Sequence, residues 1–133
     1  MLKRQWLRTA CLALLPWMTI TSSAQTDFPN KPIRFIVGYA AGGPTDVIAR
    51  MVAQEIAGPL GQSVVVENRA GANGNIATEF VASSPADGYT LIVNTLSLNV
   101  NAILGQGRVK YDPEKDFAPI SLAVVLPKYL VVG

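Results

Sequence analysis

Two short glycine-bearing segments hold most of the residues in this chain that could meet a ligand. They are Ala40-Ala41-Gly42-Gly43-Pro44-Thr45-Asp46 and Arg69-Ala70-Gly71-Ala72-Asn73-Gly74-Asn75. Each follows a short apolar run rich in β-branched residues and precedes a stretch with helical spacing. Glycine lets a ligand come close to the backbone there. The first N–H groups of a following helix have no partner inside that helix, so they attract anions. In the first segment the candidate binding residues are Ala41, Gly42, Gly43, Thr45 and Asp46. Tyr39, at the end of the preceding run, either packs against a ligand's carbon chain or covers the core. In the second segment they are Ala72, Asn73, Gly74 and Asn75, which offer two amide side chains and two backbone N–H groups. Thr95, Ser97 and Asn99 follow a third apolar run and add hydroxyl and amide groups, with helix capping by Thr95 or Ser97 as the competing role. This chemistry suits a carboxylate better than a nucleotide. Neither G-x-G-x-x-G nor G-x-x-x-x-G-K-S/T occurs, and Pro44 removes a donor that a phosphate cradle would use. Either glycine segment would serve equally as an ordinary strand-to-helix turn. Arg69 is read as a surface salt-bridge residue, with Glu67 and Asp87 as equally good partners.

What the chain lacks narrows the chemistry further. It contains no histidine, and its one cysteine, Cys11, lies near the start. Lys3, Arg4 and Arg8, then an apolar stretch from Ala10 to Ile20, then Ser22-Ser23-Ala24, read as a secretory signal peptide cleaved between Ala24 and Gln25. The apolar stretch is too short to span a bilayer, which takes roughly 20 apolar residues, and Cys11 precedes the point where a lipid-bearing cysteine would stand. Removing residues 1–24 takes three basic residues and no acidic one, leaving 8 basic against 9 acidic residues. The basicity belongs to the targeting segment, so nothing argues for nucleic acid or anionic lipid as a partner. The exported segment, 25–133, carries no disulfide, no Ser-His-Asp or Cys-His nucleophile, and no His- or Cys-ligated metal. No cofactor is expected, and no membrane span in the mature chain.

The elements that must position the two loops alternate between two periods. Ile33–Tyr39 reads as a strand. Val47, Ile48, Met51, Val52, Ile56 and Leu60 recur at helical spacing, with Asp46, Arg50, Gln54 and Glu55 mostly off that stripe. Gly43 is placed as N-cap and Pro44 as the first helical residue, and Gly58, Pro59 and Gly61 end the helix. Ser63–Glu67 is a second strand, Ile76, Ala77, Phe80 and Val81 a second helical stripe, and Tyr89–Asn94 a third strand. Strand, glycine loop and helix repeated in this order predict an α/β fold, a parallel sheet with flanking helices. Right-handed crossovers then put both glycine loops at the same, C-terminal, edge of the strands. Further on, Leu96–Leu104 reads as a short helix, Tyr111–Phe117 as a polar loop, and Ile120–Leu126 and Tyr129–Val132 as two more strands.

Five segments in register carry a resemblance. They are Phe28-Pro29-Asn30-Lys31-Pro32-Ile33-Arg34, Ala41-Gly42-Gly43-Pro44-Thr45-Asp46, Val66-Glu67-Asn68-Arg69-Ala70-Gly71-Ala72-Asn73-Gly74-Asn75, Asp87-Gly88-Tyr89-Thr90-Leu91 and Tyr111-Asp112-Pro113-Glu114-Lys115-Asp116-Phe117. In order and spacing the chain resembles the Bug family, the extracytoplasmic substrate-binding receptors of tripartite tricarboxylate transporters. The resemblance implies a two-domain, periplasmic-binding-protein-like (type II) fold whose cleft closes on a small carboxylated solute. It implies that the loops at Ala41–Asp46 and Arg69–Asn75 hold the ligand carboxylate, often through water, and that membrane subunits of a tripartite transporter are partners. Family members are more than twice this long, so residues 25–133 correspond to the N-terminal part of domain one, reaching roughly the crossover to domain two. A truncated product is the expectation; a short protein that dimerises to complete its sheet is the alternative. Ala70 and Asn73 stand where family loops often have Pro and Gly, and Asn94-Thr95-Leu96-Ser97 where a Gly-Thr-rich segment is common, which leaves the solute open. An exported α/β enzyme using Asp46 or Glu67, and a sensory or scaffold domain, are the competing functions.

Overall fold

The computed structural model describes residues 27–105 and 108–127. The signal-peptide reading of residues 1–24 and the strand expected at Tyr129–Val132 lie outside the described residues. Three parallel strands, β1 (Ile33–Val37), β2 (Val64–Asn68) and β3 (Thr90–Val93), form a sheet in the order β2-β1-β3. Helix α1 (Pro44–Leu60) connects β1 to β2, α2 (Asn75–Ala82) connects β2 to β3, and α3 (Ser97–Leu104) follows β3. Because the second crossover passes back over β1, right-handed connections put α1 and α2 on opposite faces of the sheet. The side chains agree with this. Ile33, Phe35 and Val37 project to the α1 face and form the core with Ala49 and Ala53. Arg34, one position out of step, points to the other face, where its guanidinium lies 5.5 Å from the Phe80 ring of α2.

Helix α1 begins and ends as its punctuation dictates. Gly43 is the extended N-cap and Pro44 the first helical residue. Gly61 adopts a left-handed conformation (φ 64°) and closes the last turn with an N–H bond to the Gly58 carbonyl. The buried face differs from the stripe read in the sequence. Val47 and Met51 are 48% and 62% exposed, while Ala49 and Ala53 are buried. Positions 46, 49, 53, 56 and 60 follow the same helical spacing as the expected stripe. The alanines win this contest because small side chains let the helix lie close on the sheet. Asp46 heads that stripe and is therefore buried, at 2% exposure.

At the N-terminal edge of the sheet, Lys31 pairs with Asp87 at 3.0 Å and Phe28 packs against Tyr89, tying the approach to β1 to the approach to β3. Tyr111–Phe117 forms the expected polar turn, organised by Asp112, whose carboxylate accepts from the Glu114 and Lys115 N–H groups. The strand expected over Ile120–Leu126 does not form. These residues have no regular structure, and Ile120, Leu122 and Val125 are more than 70% exposed. An apolar β-branched run becomes a strand only beside a partner that takes its N–H and C=O groups, and none of the described strands pairs with it.

Candidate functional site

The C-terminal ends of the three strands release three loops on one edge of the sheet. The strand order reverses at β1, and such a reversal opens a crevice where α/β sheets bind ligands. The first two loops press against each other at Gly38. A Cβ on Gly38 would lie 2.9 Å from the Gly74 Cα, so only glycine permits this approach.

Asp46 sets the shape of the first loop. Its carboxylate accepts from the Gly42 N–H at 2.8 Å, the Asn68 amide at 2.9 Å and the Arg50 guanidinium at 3.0 Å. The Arg50 hydrogen bond, then those from Gly42 and Asn68, hold its pKa down at about 2. Asn68 completes the lock: its Nδ2 also donates to the Tyr39 carbonyl, and its Oδ1 accepts from Arg50. Gly42 takes φ 80° to present its N–H to Asp46. The carboxylate of Asp46 is thus committed to holding the loop. Ala41 is exposed at the crest, Gly43 is the N-cap and Thr45 is half-buried. No side chain caps the N-terminus of α1, so the Thr45 and Asp46 N–H groups lack an intrahelical acceptor.

The second loop is a strained turn. Ala72 and Asn73 both have positive φ (47° and 53°), unusual for residues with a Cβ. Its amide side chains turn toward α3. Asn73 Nδ2 donates to Asn101 Oδ1 at 3.0 Å, and Asn101 Nδ2 donates to the Asn73 carbonyl and to Asn75 Oδ1. The Tyr111 hydroxyl also reaches Asn75 Oδ1, at 3.2 Å. Asn73 and Asn75 therefore fasten α3 across the loop. Arg69 settles on Glu67 at 3.6 Å and stacks over Phe80, while Asp87 goes to Lys31.

The third loop brings hydroxyls together. Tyr39 Oη lies 2.7 Å from Thr95 Oγ1, 2.6 Å from Ser97 Oγ and 3.3 Å from Asn94 Oδ1. The α-carbon of buried Gly74 faces three of these four side chains, with Tyr39 Oη, Asn94 Oδ1 and Ser97 Oγ each 3.7 Å from where a Cβ would stand. Tyr39, Gly74 and Thr95 thus meet at one junction of all three loops. Gly42, Gly43, Thr45 and Asp46 form a separate group around the Asp46 carboxylate, and Ala72, Asn73 and Asn75 line the side toward α3. Asn68, Asn94, Asn101 and Tyr111 hold these groups and escape sequence reasoning, because nothing in their spacing separates a bridging amide from an ordinary loop residue.

The cations beside the first two loops, Arg50 and Arg69, are engaged by Asp46 and Glu67. The edge therefore offers neutral donors, backbone N–H groups and hydroxyls, which suit a carboxylate. Among the described residues there is no cluster of three His, Cys, Asp or Glu side chains able to hold a metal ion, and no helix long and apolar enough to cross a membrane. An open groove of about 650 Å³ lies apart from the hydroxyl junction, between α3 and Val109–Glu114.

Residues 48–133 match the model of the tripartite tricarboxylate transporter family receptor. A Pseudomonas sp. protein from the tcbD–tcbE intergenic region is 40% identical over 92% of this chain and 37% of its own length. Protein BugT of Bordetella pertussis is 43% identical over 84% of this chain and 34% of its own. The chain thus spans little more than a third of the relatives it matches. Among solved structures, MatC from Rhodopseudomonas palustris with bound malate is 41% identical, with TM-score 0.67 over 72% of this chain and 33% of its own. A periplasmic transporter is 46% identical, with TM-score 0.63 over 65% and 29%. An R. palustris protein with adipate is 43% identical, with TM-score 0.53 over 54% and 24%.

Proposed function

The chain belongs to the tripartite tricarboxylate transporter receptor family, and on that premise we propose that it contributes the first-domain wall of an extracytoplasmic receptor for a small carboxylated solute. The observation that carries this reading is the junction of Tyr39, Thr95 and Ser97 hydroxyls beside Gly74, where three loops leave the C-terminal edge of a parallel sheet. Hydroxyls there, with the free N–H groups at the start of α1, are donors that a carboxylate can accept without a nearby cation. Malate and adipate, the molecules bound to the two R. palustris proteins, define the size class.

The role is capture without turnover. Asp46 is ionised and surrounded by three donors, and Glu67 is held by Arg34 at 2.7 Å, so neither is poised as a base. The remaining parts of the reading are export to the periplasm with loss of residues 1–24, and residues 25–133 as the N-terminal part of domain one. A second domain supplies the other wall of the cleft, and membrane subunits of a tripartite transporter recognise the closed form. Titration of the intact receptor, with both walls of the cleft, with malate, adipate and other di- and tricarboxylates, followed by the amide resonances of residues 25–133, tests binding and its location together; residues 25–133 alone are expected to bind weakly or not at all. The expected result is saturable shifts at Gly42, Thr45, Gly74 and Thr95. No shift across the panel at millimolar ligand in the intact receptor sinks the proposal. N-terminal sequencing of exported protein, expected to begin at Gln25, tests the processing site separately.

A further inference from the structure

Asn101, in the middle of α3, turns its amide on the second loop. The Asn73 carbonyl can only accept, so the Asn101 group facing it at 3.0 Å is the NH₂. The other N–H of that group goes to Asn75 Oδ1 at 2.8 Å. The Asn101 oxygen then faces Asn73 Nδ2, which donates to it at 3.0 Å. One amide thus makes three hydrogen bonds to the loop, and both of its donors are used.

These bonds close on the strained part of the turn. Ala72 has φ 47°, and Asn73 has φ 53° and ψ 38°. Left-handed residues that carry a Cβ persist only where their surroundings over-determine them. The turn's own backbone bonds run from the Gly74 N–H to the Gly71 carbonyl at 2.9 Å and from the Asn75 N–H to the Ala72 carbonyl. Neither involves Asn73, whose carbonyl and side chain are both held by Asn101. Helix α3 has no buried residue, so its hold on the loop is polar.

The turn also decides what the loop can offer a ligand. The Gly74 and Asn75 N–H groups are used inside it. Those of Ala72 and Asn73 precede its first bonded amide and have no acceptor within it, and both residues are exposed.

We infer that Asn101 is a positioning residue for the second loop: from α3 it holds Ala72 and Asn73 in the left-handed conformation, so that their two N–H groups are set in place for a carboxylate. This rests on the proposed solute-binding function, and it adds a residue that need not touch the ligand.

The test uses the intact receptor and Asn101→Ala. Without ligand, ¹⁵N relaxation of the unaltered protein should show Ala72 and Asn73 as rigid as ordinary backbone, with order parameters of about 0.85. In Asn101→Ala these two amides should fall below about 0.6, or show μs–ms exchange by relaxation dispersion, while Gly42 and Thr45 in the first loop stay unchanged. A rigid second loop in the variant overturns the inference. So does loosening spread equally through Gly42 and Thr45, which marks general destabilisation. Should Asn101→Ala not fold, Asn101→Asp keeps an acceptor for Asn73 Nδ2 but loses both donors, and it is expected to free the same two amides; rigidity there overturns the inference equally. Malate is the probe for the second arm. Affinity scales with the fraction of the binding-competent conformation, so a loop that keeps its shape about a tenth of the time weakens malate about tenfold. A mobile loop with unchanged malate affinity overturns the link to the ligand. If the unaltered receptor binds no acid, the functional reading fails, and the relaxation arm still decides whether Asn101 positions the loop.

Discussion

Replacing Gly38 with alanine tests the contact on which the site's construction depends. The added methyl carbon would stand 2.9 Å from Gly74 Cα, 3.3 Å from the Gly74 carbonyl oxygen and 3.4 Å from the Ala77 Cβ. Carbon atoms prefer separations of about 3.5–4.0 Å, so the first two loops must part by roughly half an ångström or more. The obstructing atoms are backbone and cannot swing aside as a long side chain would. Overpacking of this kind costs about 1–3 kcal/mol. At about 4–8 °C per kcal/mol for a domain of this size, the melting temperature should fall by roughly 5–20 °C. The assay is thermal unfolding by circular dichroism, with reversibility checked. Gly58→Ala is the control: it lies in α1 with nothing within 4 Å of its Cβ position and no positive φ. That exchange should stabilise by about 0.5–1 kcal/mol, since alanine loses less backbone entropy in a helix. If Gly38→Ala melts within about 1 °C of the unaltered chain, the first two loops do not press together at Gly38 and do not converge on one site.

Asn68→Ala removes the bridge between Asp46, Arg50 and the Tyr39 carbonyl; a loss of about 1–3 kcal/mol in urea unfolding is expected, and a neutral result would show the lock to be unimportant. Asn68→Asp sets a second carboxylate against Asp46, so its deficit should shrink as the pH is lowered toward the carboxylate range. Acid unfolding follows from the depressed carboxylates. Asp46 falls from 3.8 to about 2 on folding, through its hydrogen bonds to Arg50, Gly42 and Asn68, and Glu67 is lowered from 4.5, chiefly by Arg34. Groups lowered on folding contribute stability above their unfolded values and lose it as pH falls through the folded ones, so stability should decline from about pH 4.5 toward pH 2. In Asp46→Asn the part of that decline below pH 4 should flatten, as read from urea midpoints at a series of pH values. Phe80→Leu removes the face on which Arg69 stacks at 3.6 Å; a loss near 0.5–1 kcal/mol beyond the change in packing is expected, and a double-mutant cycle with Arg69→Ala isolates it.

The sequence by itself determined the elements and their order. Apolar β-branched runs, glycine turns and helical stripes are local patterns, set by backbone sterics and by side-chain period, so β1 to β3 and α1 to α3 fall close to where spacing predicts them. The common edge of the glycine loops was legible for the same reason, since strand–helix–strand units make parallel strands, whose C-terminal ends share one edge. The limit of local pattern shows at Ile120–Leu126. Its composition is that of a strand, but a strand exists only with a neighbour, and none of the described strands runs beside it.

Only the tertiary structure decided what each polar group faces. Asp46 has the sequence features of a residue free to meet a ligand at a helix start, but it heads the buried stripe of α1, where desolvation demands partners. Tyr39 meets Thr95 and Ser97 from 56 and 58 residues away, through a strand order that brings β3 beside β1. Asn68, Asn94 and Asn101 carry the same amide as any loop asparagine, and a hydrogen bond depends on where its partner stands. Spacing along the chain records period and punctuation. The partner of a buried donor is recorded only in the packed arrangement, and in this protein that arrangement set the hydroxyls of Tyr39, Thr95 and Ser97 beside the second glycine loop at one edge of the sheet.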